Sequence, residues 1–594
     1  VTPQRLGLCG AYTWLDCGAS YEMDPHGPNK PVKKGETLDP AHGIFAGVNE
    51  YVARASNGNL ERVSMYSIMT DPQTSCVVGD TELIMDGIPT PIGEFIEKHR
   101  GGEQYRNSRA LTLRQAKAHL EPVVALQRFE APEELIRLET RSGAQLILTK
   151  DHELAVDRLD GMQWVRADQI QVGERLIALK HLRLPGQLPA IRDLLPEDFR
   201  PRKPLLSSLD PELFYLLGLI ASDGCITPRG RYERIISFVN TDEELVQQFM
   251  AIYKRLFPDY HLAKKVRSNK PSTLRGRTIK PTKLCYHLSG NNSVLGLLAE
   301  RFGICVGRGR WELGRMASLP EAHIAAFLAG VFDGDGSVRL RRYAGKWDTA
   351  EGYICISDEV AARHLQLLLR RLGIIGNLSK SGSVWKIMMH GANLRLFAEV
   401  IPAKHPEKQA ALATIRQMPN NGRLDKTQEG VLPHWVGRVL AQLPTSREVL
   451  SPSTLYYYKS GRSRPVMANV QKVLEVAPDL EAKAEPLRAA LEADFFLDTV
   501  TAVEILRDKE KERAHHKYVY NITLAEIHCY FANNILIKNC GCFEVIAAVL
   551  PETNGVMLVS REYMGMTPIG MTFSTMAGEI GGGVQTPGFL GIGK

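Results

Sequence analysis

The apolar and polar positions of the chain fall into three patterns. Cys76-Val77-Val78-Gly79-Asp80-Thr81-Glu82-Leu83-Ile84 begins with a tight glycine turn and continues as a strand-like alternation. Residues 141–156 (RSGAQLILTKDHELAV) predict a strand, a short turn and a second strand, with Thr149 and His152 at the turn. Near the far end, 518–539 (YVYNITLAEIHCYFANNILIKN) predicts two strand-like runs around a turn. Between these β-type segments the pattern becomes helical. Apolar runs at 213–221 and 324–332 lie in LLGLIASDG (216–224) and LAGVFDGDG (328–336), each with an internal glycine and each ending in Asp-Gly. A glycine inside each helix lets the two approach closely, which would set Asp223 and Asp335 side by side below the crossing. The two units are 112 residues apart, and their later parts echo each other in YHLSGNNSVLGLLAERFGI (286–304) and KIMMHGANLRLFAEVI (386–401). Such an echo marks an internal duplication. The third pattern is outside both: 1–75 and 540–594 are rich in Gly and Met and dense in short motifs.

A chain of 594 residues holds several domains. It starts without Met and is read as a fragment, with no signal peptide. No apolar run reaches about 18 residues, so no membrane span is expected. Ten cysteines are too sparse for a disulfide scaffold and point to a reducing cytoplasm. The net charge of +7 divides unevenly: 1–75 with 540–594 carry 8 Lys+Arg against 12 Asp+Glu, and 76–539 carry 65 against 54. An acidic host around a basic insert fits two polypeptides with different partners.

Four motifs in order at the two ends of 76–539 resemble an intein of the Hint fold. The resemblance implies a sequence of bond exchanges. Cys76 attacks the Ser75 carbonyl and converts the Ser75–Cys76 amide to a thioester, with His152, positioned by Thr149, protonating the amide nitrogen. Cys540 takes over the acyl group, Asn539 cyclises and cuts the Asn539–Cys540 bond, and an S-to-N shift joins Ser75 to Cys540. Two positions depart from the family pattern. The penultimate residue is Lys538 rather than His, so His528 is expected to assist Asn539. The Asp often found after the VY of this block is Asn521. Splicing slowed at Asn cyclisation is the expectation.

The duplicated centre, about 206–402, resembles a two-motif LAGLIDADG homing endonuclease, which implies two αββαββα halves forming a saddle on double-stranded DNA. Asp223 and Asp335 would bind Mg²⁺ and activate water for cleavage of the host gene lacking the insert. Ala221 stands where many members carry Asp. Independently, 254–283 holds ten Lys/Arg against one acid, Asp259, a phosphate-neutralising strip. Lys283 and Lys386 are candidate lysines near the metals. Residues 430–500 faintly resemble a helix-turn-helix, with Tyr456, Lys459 and Arg462 toward DNA, and fit a helical spacer equally. An inactive endonuclease, or a precursor impaired in splicing, remains an alternative.

In the flanks, Cys540-Gly541-Cys542 offers two thiolates and two backbone amides, a planar set suited to nickel(II) or copper(II). LCGAYTWLD, DPHGPN and GMTFSTMAG, with CGCFE, resemble the nickel A-cluster domain of CO-methylating acetyl-CoA synthase. The resemblance makes Cys540, Gly541 and Cys542 nickel ligands after splicing and Cys9 a ligand of a [4Fe-4S] cluster. It also implies CoA as substrate and a carbon monoxide dehydrogenase subunit and a corrinoid iron–sulfur protein as partners. Cys17 gains no role. The expected architecture is therefore multidomain: acetyl-CoA synthase flanks of α/β type at 1–75 and 540–594, an all-β Hint horseshoe from 76–205 and 506–539, the α+β endonuclease at 206–402, and a helical subdomain at 403–505.

Overall fold

The computed structural model describes residues 75–538, apart from 100–103, 160, 269–271, 275–276, 280–283, 344–345, 419–429, 445, 477–480, 508–514 and 528, together with a set of strands in the two flanks. Cys9, Cys17, Lys283, His528, Asn539, Cys540, Gly541 and Cys542 lie outside the described residues.

The β-type ends of 76–538 form one sheet that bends back on itself. Its strand order is Gly161–Arg166, Glu153–Arg158, Arg175–Leu179, Phe495–Arg507, Glu134–Thr140, Gln145–Leu148, Val77–Val78, Tyr518–Leu524, Lys117–Glu130, Arg109–Arg114, Glu82–Met85, Cys529–Ala532 and Ile535–Lys538, with Ile88–Pro91 beside Glu82–Met85. Closure comes from the last strand, whose Ile537 faces Leu154 and whose Ile535 faces Ala178. Three hairpins turn on two-residue loops with positive φ, Asp86-Gly87, Gln115-Ala116 and Asn533-Asn534. That conformation matches the twist of the flanking strands. Asn533 is also pinned: its Oδ1 accepts from the Glu82 N–H (2.8 Å) and its Nδ2 donates to the Gln145 carbonyl (2.7 Å).

The two strands predicted on either side of the turn at Thr149 and His152 are present; Gln145–Leu148 lies beside Glu134–Thr140, and Glu153–Arg158 beside Gly161–Arg166. Two details differ from the sequence expectation. The run 518–539 yields three strands in 518–538, because Asn533-Asn534 adds a hairpin turn. Phe495–Arg507, expected in the helical subdomain that ended at 505, pairs with Glu134–Thr140 and Arg175–Leu179. Its alternating partners are far away in sequence, so its sheet membership has no local signature.

The inserted portion leaves after Leu179 and returns at Phe495, which face each other across the sheet. Its two halves share one plan. Helix Pro211–Asp223 leads into strands Gly224–Pro228 and Arg234–Asn240, helix Glu243–Leu256, strands Ala263–Ser268 and Leu284–Asn291, and helix Ser293–Arg301. Helix Glu321–Asp335 leads into Gly336–Tyr343, Lys346–Ile356, helix Glu359–Arg371, Asn377–Ser381, Val384–His390 and helix Gly391–Val400. The fourth strand of each half lies between the second and third. Even the caps repeat: Asp242 accepts from the Leu245 N–H and Asp358 from the Ala361 N–H. Helix Pro406–Gln417 buries Leu412 and Ile415 in the same apolar core, so this unit continues beyond 402. A separate small core gathers Val436, Leu440, Leu455, Val470 and Val473 from short helices between 434 and 491. It docks on the sheet through Asp157, which accepts from the His434 N–H (3.3 Å) and pairs with Arg464.

The flanks, expected to be α/β, carry only strands among their described residues. Phe45–Arg54 and Leu60–Ile68 join Phe543–Leu550, Gly555–Glu562 and Thr572–Thr575 in a five-stranded sheet, with Val545 opposite Ile68.

Candidate functional site

The first site surrounds the Ser75–Cys76 bond. Val77–Val78 is held between Gln145–Leu148 and Tyr518–Leu524, which carries the junction into the sheet and buries Cys76 completely. Thr149 and Cys76 are tied twice: the Cys76 N–H donates to Thr149 Oγ1 (3.1 Å), and the Thr149 N–H donates to the Cys76 carbonyl (3.0 Å). One turn on, the His152 N–H donates to the Thr149 carbonyl (3.1 Å), which aims the imidazole back at the junction. His152 is fully buried, and neither ring nitrogen has a hydrogen-bond partner of normal geometry. Burial pushes its imidazole down to about 4; backbone groups at Cys76 and Lys538 and the Glu153 charge pull weakly the other way. The histidine is thus neutral near pH 7, able to accept a proton, and strongly acidic once it holds one. Those two backbone neighbours also show that Lys538, the last described residue before Asn539, approaches the same imidazole.

Lys538 is ion-paired with Glu153, the residue after His152. Both are about a third exposed, at 29% and 33% of their side chains. Its ammonium is therefore held by a carboxylate at the rim of the site.

Asn521 is fully buried, and its Nδ2 donates to the Ser75 carbonyl at 2.6 Å. Nothing in the local pattern of 518–524 reveals this, because Ser75 lies 446 positions away.

The second site lies where the two Asp-Gly helices cross. A Cβ on Gly218 would fall on the Phe327 carbonyl and one on Gly330 on the Tyr215 carbonyl, so only glycine permits this approach. The crossing brings Asp223 and Asp335 together: burial pushes the Asp335 carboxyl up to about 6, and the Asp223 charge adds to it. Asp223 is raised too, by burial, against the hydrogen bond from Asn240 Nδ2 (2.9 Å). Two hard oxygen donors that repel each other in a half-buried cleft fit a divalent cation such as Mg²⁺, whose charge would offset both costs. Asp333, the counterpart of Ala221, has a different job. Its Oδ2 accepts from the Tyr215 hydroxyl (2.8 Å) and from the Lys404 (2.6 Å) and His405 (3.1 Å) N–H groups. Ala221 therefore lacks only the carboxylate that makes these hydrogen bonds in the second repeat.

Among the described residues, Lys408 stands at this cleft, and the sequence reading did not select it. It donates to the Phe332 (2.7 Å) and Asp333 (2.6 Å) carbonyls, and its charge acts on both Asp223 and Asp335. Lys386 stands over the Tyr353 ring (3.8 Å) and opposite Cys355, on the outer sheet face. That face also exposes Lys265, Arg267, Arg339 and Arg341. In the helical subdomain Tyr456, Lys459 and Arg462 are all exposed. No helix among the described residues is long and apolar enough to cross a membrane.

Residues 82–539 match the intein splicing domain family, and residues 1–100 and 508–594 match the family of the C-terminal part of the ACS/CODH beta chain. An A-type ATP synthase protein of Methanopyrus kandleri is 25% identical over 521 residues, 73% of this chain and 48% of that protein. The alpha chain of the carbon monoxide dehydrogenase/acetyl-CoA synthase of Moorella thermoacetica is 52% identical over 96 residues, 16% of this chain and 13% of that protein. The beta 2 chain of the acetyl-CoA decarbonylase/synthase complex of Methanosarcina thermophila is 60% identical over 92 residues, 15% of this chain and 20% of that protein. The chain spans less than half the length of each of these relatives. Among solved structures, the TvoVMA intein is 20% identical with a TM-score of 0.17, covering 18% of this chain and 69% of that one. The homing endonuclease I-DmoI in complex with DNA and Mn is 17% identical with a TM-score of 0.22, covering 33% of this chain and 98% of that one. With a family match across most of its length, the chain belongs to the intein splicing domain family, and the matched stretch is flanked on both sides by residues that match the ACS/CODH beta C-terminal family.

Proposed function

We propose that 76–539 excises itself and joins Ser75 to Cys540, and that the inserted unit cuts double-stranded DNA. The observation that carries the splicing reading is the shared surroundings of His152: the Cys76 backbone and the end of the strand leading to Asn539 both reach one buried imidazole. Neutral His152 takes the Cys76 thiol proton; Sγ attacks the Ser75 carbonyl carbon; and the imidazolium returns the proton to the Cys76 nitrogen as the C–N bond breaks. Thr149, bonded to the same nitrogen, keeps it oriented for that transfer. Cys540 then accepts the acyl group, and Asn539 closes to a succinimide with help from His528. With Lys538 held by Glu153, no penultimate proton relay serves this last step, which makes it the slow one.

Asp223 and Asp335 would hold Mg²⁺, which when bound supplies Lewis acidity and an activated water at the scissile phosphate. The strands of each half present basic side chains on the face opposite the helices, as a phosphate-binding saddle requires. After splicing, Cys540, Gly541 and Cys542 would offer nickel ligands and Cys9 an iron–sulfur ligand in an acetyl-CoA synthase, working with CoA, a carbon monoxide dehydrogenase subunit and a corrinoid protein. The test is intact-mass analysis of the expressed chain with and without Cys76→Ala. A joined 1–75/540–594 product beside free 76–539 ending in a succinimide supports the reading; persistent precursor in both proteins refutes it.

A further inference from the structure

We propose that Asn521 supplies the oxyanion donor for the first step at the Ser75–Cys76 bond, so that the residue departing from the family pattern is a catalytic residue here and not a loss. This rests on the splicing reading above and adds a role to it.

The geometry leaves the amide one orientation. Asn521 Oδ1 accepts from the Ile522 N–H (2.7 Å) and from the Tyr530 hydroxyl (2.8 Å). Two donors converging on one atom identify it as the oxygen, and the Nδ2 group is then the end that meets the Ser75 carbonyl at 2.6 Å. The side chain is fully buried, as are Tyr530 and Ile522, so water does not compete for these bonds. Negative charge develops on that carbonyl oxygen when the Cys76 sulfur adds. The S–C bond forms, the C=O π pair moves to oxygen, and the proton from sulfur rests on His152. On collapse the C–N bond breaks and His152 protonates the leaving nitrogen. A fixed N–H donor aimed at the oxygen in a dry site stabilises the intermediate without reorganisation. The two partners on Oδ1 also polarise the amide and strengthen its N–H as a donor.

Asp at this position would reverse the effect. A carboxylate only accepts hydrogen bonds, so it would face the developing oxyanion with a like charge. Restoring the residue common in the family is therefore expected to harm this protein, which a purely structural reading of Asn521 does not require.

The experiment uses the full chain in an Asn539→Ala background, which blocks the final cleavage, and follows release of 1–75 by dithiothreitol with intact mass. Asn521→Ala is expected to slow release roughly 100- to 1000-fold, the usual effect of losing one such donor. Asn521→Asp is expected to be at least as slow at neutral pH, and its deficit relative to the parent is expected to shrink as the pH falls and the carboxyl gains a proton. Tyr530→Phe, which only loosens the amide, is expected to slow release about tenfold. Cleavage after Asn539 in a Cys76→Ala background reports that each variant is folded. Release from Asn521→Asp at or above the parent rate overturns the proposal; if both Asn521 variants fail to fold, an unchanged rate in Tyr530→Phe overturns it. A parent that releases nothing refutes the splicing reading itself, and the role of Asn521 falls with it.

Discussion

The burial of His152 makes the stability of the splicing domain depend on pH in a defined direction. An unfolded histidine titrates at 6.5, and the buried one is held down to about 4 because its surroundings solvate the imidazolium poorly. Below pH 6.5 the unfolded chain binds a proton that the folded one refuses. The stability is therefore fully present above the unfolded value and is lost as the pH falls toward the folded one. Each unit of difference is worth about 1.4 kcal/mol, so at about pH 5 the loss reaches about 2 kcal/mol. The perturbation is His152→Gln, which keeps a polar side chain but cannot titrate. Both proteins carry Cys76→Ala and Asn539→Ala so that neither splices nor cleaves during the measurement. Urea midpoints by circular dichroism at about pH 7.5 and about pH 5 give two slopes. The parent is expected to lose about 2 kcal/mol more than the variant over that interval. Equal slopes would mean that His152 is protonated in the folded state or solvated by water, and the account of a neutral, strongly acidic relay would fail.

Three other perturbations separate the parts of the molecule. Gly330→Ala drives a methyl into the Tyr215 carbonyl, and is expected to cost about 1–3 kcal/mol by thermal melting and to abolish plasmid linearisation by parting Asp223 from Asp335. Lys538→His places an imidazole at the penultimate position and is expected to raise the rate of cleavage after Asn539, read by intact mass in a Cys76→Ala background; a slower rate would show that the ion pair with Glu153 aids the step. Replacing Lys265 and Arg267 together with Ala is expected to weaken DNA binding at low salt and to reduce the salt slope by about 2, checked by titration across ionic strength.

The parts of this molecule that were readable in its sequence are those whose cause is local. The apolar helices with their glycines and Asp-Gly ends announce a close crossing, and the structure places Asp223 and Asp335 at its foot. Thr149 and His152 stand a turn apart, and that spacing alone puts both at Cys76 once Gln145–Leu148 pairs with Val77–Val78. What stayed hidden depends on distant partners. Lys408 reaches the cleft of Asp223 and Asp335 only because helix Pro406–Gln417 folds back under the second repeat. Phe495–Arg507 resembles any amphipathic strand until Leu179 is seen opposite Phe495. The surroundings of Asn521 are likewise hidden, since its amide is bonded to Ser75, Ile522 and Tyr530 together.

How two folded units share this chain follows from where the insert is rooted. Arg175–Leu179 and Phe495–Arg507 are neighbouring strands, so the insert leaves and re-enters the sheet at adjacent positions. The residues bonded to Ser75 and Cys76 come from other strands. Yet the seam is not a bare tether. Arg371 is buried and donates to the carbonyls of Leu182 (2.7 Å), Leu184 (3.1 Å), Ala317 (2.6 Å) and Leu319 (3.1 Å). Arg370, also buried, donates to the Leu179 carbonyl (2.8 Å), and Gln366 donates to the Ser142 carbonyl (2.8 Å). These guanidinium groups replace water at backbone oxygens that would otherwise be stranded between the two units. The second half of the insert is thus built as part of the sheet's wall. Cutting it out cleanly would expose Leu179, Ser142 and Phe496 at once, so the insert contributes to the folded sheet around it.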